Sequence, residues 1–137
     1  MTAPTPAAFP PAHDFLLVGD ELSVDERMVR DTVRRFVTDK VLPDIGGWYE
    51  RAEFPRELVK EMGALGLLGM HLEGYGCAGM SAVAYGLACL ELEAGDSGFR
   101  SFVSVQGSFA MFPIWAYGSA EQKQQWLPGM ANGELVG

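Results

Sequence analysis

The stretch that most constrains the fold is residues 81–117, in which two apolar segments meet at a short polar corner, Gly95-Asp96-Ser97-Gly98. The first segment is apolar on nearly every face, which is typical of a helix buried in a core. Ser81 directly precedes it and can cap its first turn, because a serine oxygen accepts one of the free N–H groups there. The stretch therefore predicts two core helices, and the corner between them is the candidate for function.

A line of serines at helical spacing follows the corner, which puts four hydroxyl groups on one face: Ser97, Ser101, Ser104 and Ser108. Arg100 lies in the first turn of the same helix, where the macrodipole disfavours a cation unless an anion is near. The guanidinium of Arg100, the hydroxyl of Ser104 and free N-terminal N–H groups could converge on a carboxylate or phosphate. The alternative is that Arg100 pairs with Asp96 or Glu93 and the serines only permit close helix packing.

Composition limits the class of protein. The chain has 137 residues, of which 48% are hydrophobic and 20% charged, so it is long enough for one domain with a buried core. The net charge of −8 argues against nucleic-acid and anionic-membrane partners, which require clustered Lys and Arg. No apolar run reaches the length of a membrane span. Two isolated cysteines and two isolated histidines indicate neither a metal site nor a disulfide framework: Cys77, Cys89, His13 and His71.

The N-terminal residues predict an arm rather than part of the core. The opening MTAPTPAAFPPAHD is rich in Ala and Pro and has neither arginine nor an apolar segment, so it resembles neither a transit peptide nor a secretory signal. We expect residues 1–21 to form an extended or flexible arm and the protein to be cytoplasmic.

Several local signals place helices in the remainder. Ser23 with Glu26, and Ser119 with Gln122, have the form of capping boxes that begin helices. A further helix is expected to open with Pro55 at its first position. We expect helix breaks at Gly46-Gly47 and Pro128-Gly129, and we expect Pro113 to kink or end its helix.

Two stretches are ambiguous by pattern. The loop from His71 to Gly79 contains the letters G-x-G-x-x-G from Gly74, but it follows a helix rather than a strand, so we interpret it as a connecting loop and not as a dinucleotide site. Residues 133–137 have the character of a strand beginning. Nothing else alternates with period two, so residues 22–137 are predicted to form an all-α domain, an orthogonal or up-down bundle of about five or six helices.

Four segments of the sequence together resemble the N-terminal helical domain of the acyl-CoA dehydrogenase family. In chain order they are FPRELVKEMGALGLLGM, a Tyr-Gly loop, LACLELEAGDSGFRSFVSVQGS and PIWAYGSAEQKQQWLPGMANGELVG. Within the family the glutaryl-CoA dehydrogenases are the most similar. The set of motifs is specific, whereas each one alone is weak. The resemblance covers about residues 22–137.

The resemblance implies a flavoenzyme. Members of the family hold FAD and oxidise the Cα–Cβ bond of an acyl-CoA: a carboxylate removes the α-proton and a hydride leaves for the flavin. Glutaryl-CoA dehydrogenases also decarboxylate, giving crotonyl-CoA and CO₂, and pass electrons to an electron-transfer flavoprotein. Family members form homo-oligomers, commonly tetramers. The principal FAD contacts and the catalytic glutamate are expected in middle β and C-terminal helical domains beyond these 137 residues, so no catalytic residue is assigned in this chain.

The resemblance also bears on the corner. In the glutaryl-CoA subfamily an Arg-Ser pair followed three residues later by Ser lines the pocket for the distal carboxylate, and Arg100, Ser101 and Ser104 match that pattern. They are the predicted substrate-binding residues. Phe112 departs from the family, which often has His before Pro-Ile. Two alternatives stay open: an acyl-CoA dehydrogenase of other acyl specificity, and a catalytically inert helical interaction module.

Overall fold

The computed structural model describes residues 17–137, and they form an all-α domain, as predicted from the sequence. Most of the predicted arm, residues 1–16, lies outside the described part. Its last residues contribute one helical turn, α1 (Val18–Glu21). The other α-helices are α2 (Val24–Phe36), α3 (Ile45–Arg51), α4 (Glu57–Ala64), α5 (Ala82–Gly95), α6 (Ser97–Ser104), α7 (Phe112–Tyr117) and α8 (Ala120–Ala131).

Two π-helical segments extend these helices. The segment π1 (Val37–Val41) continues α2, and π2 (Val105–Met111) joins α6 to α7, so the described chain has seven continuous helical segments. Pro113 lies at the start of α7, just after the wide turns of π2, where its missing N–H group is tolerated. The helix therefore does not end at Pro113, and the change from π-helix to α-helix comes just before it.

Three predicted helix starts are confirmed by their caps. Ser23 and Ser119 each form a complete capping box, with Glu26 and Gln122 respectively. The hydroxyl of Ser81 accepts a hydrogen bond from the N–H of Ala84 at 3.1 Å. These hydrogen bonds satisfy donors that the first helical turn leaves free.

Three predicted boundaries are wrong. Gly46 and Gly47 lie inside α3, and α4 begins at Glu57, two residues after Pro55. Helix α8 runs through Pro128 to Ala131. Local signals are overridden there because burial of Leu127, Met130 and Ala131 compensates for the hydrogen bond that proline cannot donate.

No strand is present at residues 133–137, contrary to expectation. Instead α8 ends in a turn in which the N–H groups of Glu134 and Leu135 both donate to the carbonyl of Gly129 at 2.9 Å, and Gly133 has φ +78°. Such a left-handed residue commonly terminates a helix. The only strands among residues 17–137 are β1 (Glu73–Gly74) and β2 (Cys77–Ala78), an antiparallel pair in the predicted glycine-rich loop.

The core lies between the long helices. Helix α2 packs on α5, and α5 packs on α6. Helix α5 is less buried than its apolar sequence predicted, because Val83 and Leu90 are exposed while Ala84, Ala88 and Leu92 face the core. No helix in the described range is long and apolar enough to cross a membrane.

Candidate functional site

The corner between α5 and α6 is shaped by Asp96. Its carboxylate accepts hydrogen bonds from the N–H groups of Gly98 at 2.8 Å and Phe99 at 3.3 Å, which caps α6. The predicted convergence of free N–H groups on an external anion is therefore wrong for these two donors, since a side chain of the same chain already occupies them. Asp96 is used in this cap, and Arg100 pairs with a different acidic residue.

Arg100 pairs with Glu93 across the corner. Its Nε donates to Oε2 of Glu93 at 2.6 Å, and both side chains are partly exposed. This hydrogen bond raises the pKa of Arg100 above its ordinary value. The structure thus contains the intramolecular pairing that the sequence left open as an alternative. Only Nε of the guanidinium is used, so its outer nitrogens remain able to donate to a carboxylate.

An open groove of about 930 Å³ runs along α5 between two arginines, and we call it the Arg100 groove. Arg34 from α2 lies at one side and Arg100 from α6 at the other, each hydrogen-bonded to a glutamate of α5. The rest of the lining consists of these two glutamates, Glu91 and Glu93, and of four small or apolar residues: Gly86, Cys89, Leu90 and Ala94. A ligand with an apolar body and a carboxylate end fits this arrangement of apolar and cationic groups.

Ser101 does not line the Arg100 groove. It lines a smaller groove of about 340 Å³ together with Phe54, Phe102, Gln106 and Val136, which we call the Ser101 groove. Ser104 is half-buried, and its hydroxyl donates to the carbonyl oxygen of Ser101 at 3.1 Å. Arg100 and Ser101 therefore lie at two different grooves on α6, and Ser104 is bonded to its own helix.

The serine line does not continue unbroken to its last member. The change to π-helix at Val105 alters the rotation per residue, so Ser108 is no longer in α-helical register with Ser104. Ser108 instead lies near the hydroxyl of Tyr85 of α5, which is also close to the thiol of Cys89. Burial raises the pKa of both Tyr85 and Cys89.

The polar wall formed by Tyr85, Cys89 and Glu93 was not singled out from the sequence. Their spacing of four residues put them on one face of α5, which was the available signal. The apolar residues around these three positions led instead to the prediction of a helix that is buried on every face. His71 packs its ring on Tyr85 with centroids 4.9 Å apart, at the far end of this wall from Arg100.

The described residues do not fit a diphosphate cradle for FAD. The glycine-rich loop is closed into the β1–β2 hairpin, and the helix that follows it is capped by Ser81. Phosphates require free N–H groups at such a helix start or unpaired cations in a groove. Within residues 17–137 no group of three or more metal-ligating side chains is present either.

A family model described as "Acyl-CoA dehydrogenase, N-terminal domain" matches residues 23–134. The crystal structure of glutaryl-CoA dehydrogenase from Mycobacterium smegmatis is 65% identical, with a TM-score of 0.86 over 90% of this chain and 32% of that one. The crystal structure of a glutaryl-CoA dehydrogenase from Mycobacterium smegmatis in complex with FADH2 is 60% identical, with a TM-score of 0.86 over 88% of this chain and 31% of that one.

Curated relatives are more distant. The short-chain specific acyl-CoA dehydrogenase, mitochondrial, of Rattus norvegicus is 36% identical over 118 residues, which cover 85% of this chain and 29% of the relative. The chain therefore spans less than a third of the length of that relative. The proteins similar to this sequence thus include some named for glutaryl-CoA and others named for short-chain acyl-CoA.

Proposed function

Because the chain belongs to the acyl-CoA dehydrogenase family as its N-terminal domain, we propose that it forms the acyl-side wall of a glutaryl-CoA dehydrogenase. The proposed activity of the complete protein is oxidative decarboxylation of glutaryl-CoA to crotonyl-CoA and CO₂. The observation that carries the proposal is the placement of Arg100, a partly exposed cation that Glu93 holds through one nitrogen at the end of a largely apolar groove.

The chemistry of this arrangement favours a dicarboxylate-derived acyl chain. A simple fatty acyl chain ends in a methyl group and gains nothing from a guanidinium, whereas a terminal carboxylate gains a charge-assisted hydrogen bond. Glu93 keeps the guanidinium in place before substrate arrives, which reduces the ordering cost of binding. We include Arg100, Ser101 and Ser104 in the proposed substrate-binding set, with Arg100 contacting the distal carboxylate.

The positions of Ser101 and Ser104 limit which part of a ligand their hydroxyl groups can contact. Ser101 is on the neighbouring groove and Ser104 bonds its carbonyl, so their hydroxyl groups reach a ligand only where it extends over α6 between the two grooves. A ligand that contacts both Arg100 and Ser101 must cross α6 from one groove to the other. A short chain confined to the Arg100 groove does not meet Ser101.

FAD, acyl-CoA and electron-transfer flavoprotein are proposed for the complete protein, as are assembly into a homo-oligomer and a cytoplasmic location. Support for FAD comes from the similar structure that is a complex with FADH2. Support for electron transfer comes from a solved structure described as the electron transferring flavoprotein of Acidaminococcus fermentans. A chain of that structure is 30% identical to this one, with a TM-score of 0.79. The rat relative, by contrast, is named as mitochondrial.

The test replaces Arg100 by Gln in the complete enzyme and compares kcat/KM for glutaryl-CoA and butyryl-CoA. Loss of a hydrogen-bonded charge at a carboxylate costs about 1.5–3 kcal/mol, so turnover of glutaryl-CoA should fall by roughly 10- to 150-fold. Butyryl-CoA turnover should change little. Arg35→Gln, which removes a cation of α2 outside the groove, is the matched control.

Two other outcomes identify the alternatives. Equal loss for both substrates would show that Arg100 is structural and would favour an acyl-CoA dehydrogenase of other specificity. An interaction module is favoured by exposed aromatic residues such as Phe109 and Tyr117, which are 80% and 85% exposed. Absence of dehydrogenase activity in the complete protein with every acyl-CoA tested would support that module.

A further inference from the structure

Gln106 is a buried polar residue that the proposed function does not use. Its side chain lies in π2 and is only 1% exposed, one of two buried polar or charged residues among residues 17–137. A buried amide is costly unless its donors and acceptor are satisfied. Its hydrogen-bond partners therefore indicate what the residue is there to hold.

Those partners lie at the C-terminal end of the chain. Nε2 of Gln106 donates to the carbonyl of Leu135 at 2.9 Å and more weakly to that of Met130 at 3.4 Å. Oε1 of Gln106 accepts from the N–H of Gly137 at 3.0 Å. The amide of Gln106 thus donates to the residue before Val136 and accepts from the residue after it. In a parallel sheet, the N–H and C=O groups of one residue bond the neighbouring strand in the same way.

Close packing at Gly137 supports the same assignment. A Cβ atom built at Gly137 would lie 2.6 Å from the Cβ of Ala110 and 3.0 Å from Cε of Met130. Backbone at this position therefore lies directly against π2, at a distance that only glycine permits. Hydrogen bonding and packing are independent observations that place residues 135–137 on the same helical surface.

The position of this segment matters because Val136 and Gly137 line the Ser101 groove with Ser101 and Gln106. We infer that Gln106 is a positioning residue, whose buried amide fixes residues 135–137 as a wall of the Ser101 groove. The π-helical geometry of π2 is part of the arrangement, since the wide turn directs Gln106 inward while the neighbouring Val105 is exposed. The inference concerns how the groove is built and does not depend on which acyl group it receives.

The experiment measures amide hydrogen exchange of Gly137 by NMR in the 137-residue chain. Exchange of Gly137 should be faster by roughly 10- to 30-fold in Gln106→Met, which retains the size of the side chain but cannot hydrogen-bond the segment. Gln125→Met, an exposed glutamine of α8 replaced in the same way, should leave exchange unchanged.

Equal exchange of Gly137 in the wild-type chain and Gln106→Met would overturn the inference, as would the same loss of protection in Gln125→Met. Should Gln106→Met fail to fold, the wild-type chain decides. Nuclear Overhauser effects between the side-chain amide protons of Gln106 and backbone protons of residues 135–137 are expected, and their absence refutes the contact. None of these measurements uses an acyl-CoA, so failure here is distinguishable from failure of the proposed substrate.

Discussion

The carboxylate of Glu91 on α5 is buried and accepts two hydrogen bonds from Arg34 on α2, at 2.9 and 2.7 Å. This bidentate pair joins the two helices that form the centre of the core, and it raises the pKa of Arg34 above its ordinary value. Glu91 is 5% exposed, whereas the Arg34 side chain is 48% exposed. The arginine therefore covers a carboxylate that would otherwise be buried without a partner.

Arg34→Ala should destabilise the chain by about 2 kcal/mol, as measured by urea unfolding. Removing one member of a fully buried pair costs about 3–5 kcal/mol, and the half-exposed position of Arg34 lets water reach Glu91 and reduces that figure. Arg35→Ala on the same helix is the control, and its effect should be within about 0.5 kcal/mol. Equal effects of the two substitutions would contradict a special role for the pair.

Two helical glycines should respond to alanine in opposite directions. At Gly63 in α4 a Cβ would lie 2.5 Å from the backbone carbonyl of Asn132, so Gly63→Ala must displace the end of α8. We expect a loss of at least about 2 kcal/mol, because backbone is the group that must move. At Gly46 in α3 a Cβ meets nothing within 4 Å, and Gly46→Ala should stabilise by about 0.5–1 kcal/mol through helix propensity.

Thermal unfolding of both alanine variants checks this pair. A midpoint for Gly63→Ala at or above that of the wild-type chain would show that α4 and the end of α8 are not in close contact. The two variants have the same chemical change, so the difference between them isolates the effect of packing.

His71 should make stability depend on pH. Burial lowers the pKa of His71, and its Nδ1 is buried without a hydrogen-bond partner. The unfolded chain therefore takes up a proton at about pH 6.5 while the folded chain does not, so the free energy of unfolding decreases as pH falls below that value, until the folded pKa is reached. Above about pH 6.5 this contribution is fully present.

His71→Phe removes this proton uptake and retains a ring against Tyr85. The variant should lose less stability than the wild-type chain between pH 7.5 and pH 5.5, in parallel urea titrations. Carboxylates contribute equally to both curves, so the difference between them reports His71. Superimposable slopes would mean that His71 has its ordinary pKa in the folded chain.

Cys89 should report on the charge of Arg100. Burial raises the pKa of the Cys89 thiol, and the hydroxyl of Tyr85 and the charge of Arg100 act in the opposite direction. Arg100→Gln removes the cation, so the thiol pKa should rise further and alkylation by iodoacetamide at pH 8 should slow by about twofold. Arg100→Lys retains the charge and should retain the rate.

Cys77 is the internal reference for this measurement. Burial also raises its pKa, but Arg100 has no influence on it. Mass spectrometry of the two peptides gives both rates in one experiment. A faster reaction of Cys89 in Arg100→Gln would show that access to the groove, rather than charge, controls the thiol.

Local sequence signals predicted the three helix starts that a serine caps, whereas the start of α4 and the end of α8 were predicted wrongly. The caps at Ser23, Ser81 and Ser119 depend on atoms within three residues, so the sequence contains the whole interaction. Pro128 was misleading because the burial that carries α8 past it comes from elements distant in the sequence. Membership of the all-α class was predictable for the same local reason, since the helical period repeats along almost the whole chain.

At the candidate site the sequence predicted residues but not their arrangement. Motif and spacing led to Arg100, Ser101 and Ser104, and their roles in substrate binding stay predictions. Arg100 pairs with Glu93 and not with Asp96, because Asp96 caps α6 at the corner between the helices. Both acids were in reach by sequence, and only the path of the backbone distinguishes them.

The sequence by itself thus determined the helical class, the caps and the family, all of which depend on neighbouring residues or on ordered motifs. Tertiary structure alone decided that Arg100 and Ser101 lie at different grooves, that Arg34 covers Glu91 and that Gln106 holds residues 135–137. The contacts of Arg34 and Gln106 join residues 24 to 57 positions apart. No local pattern encodes them, because their energy arises only when the helices have packed.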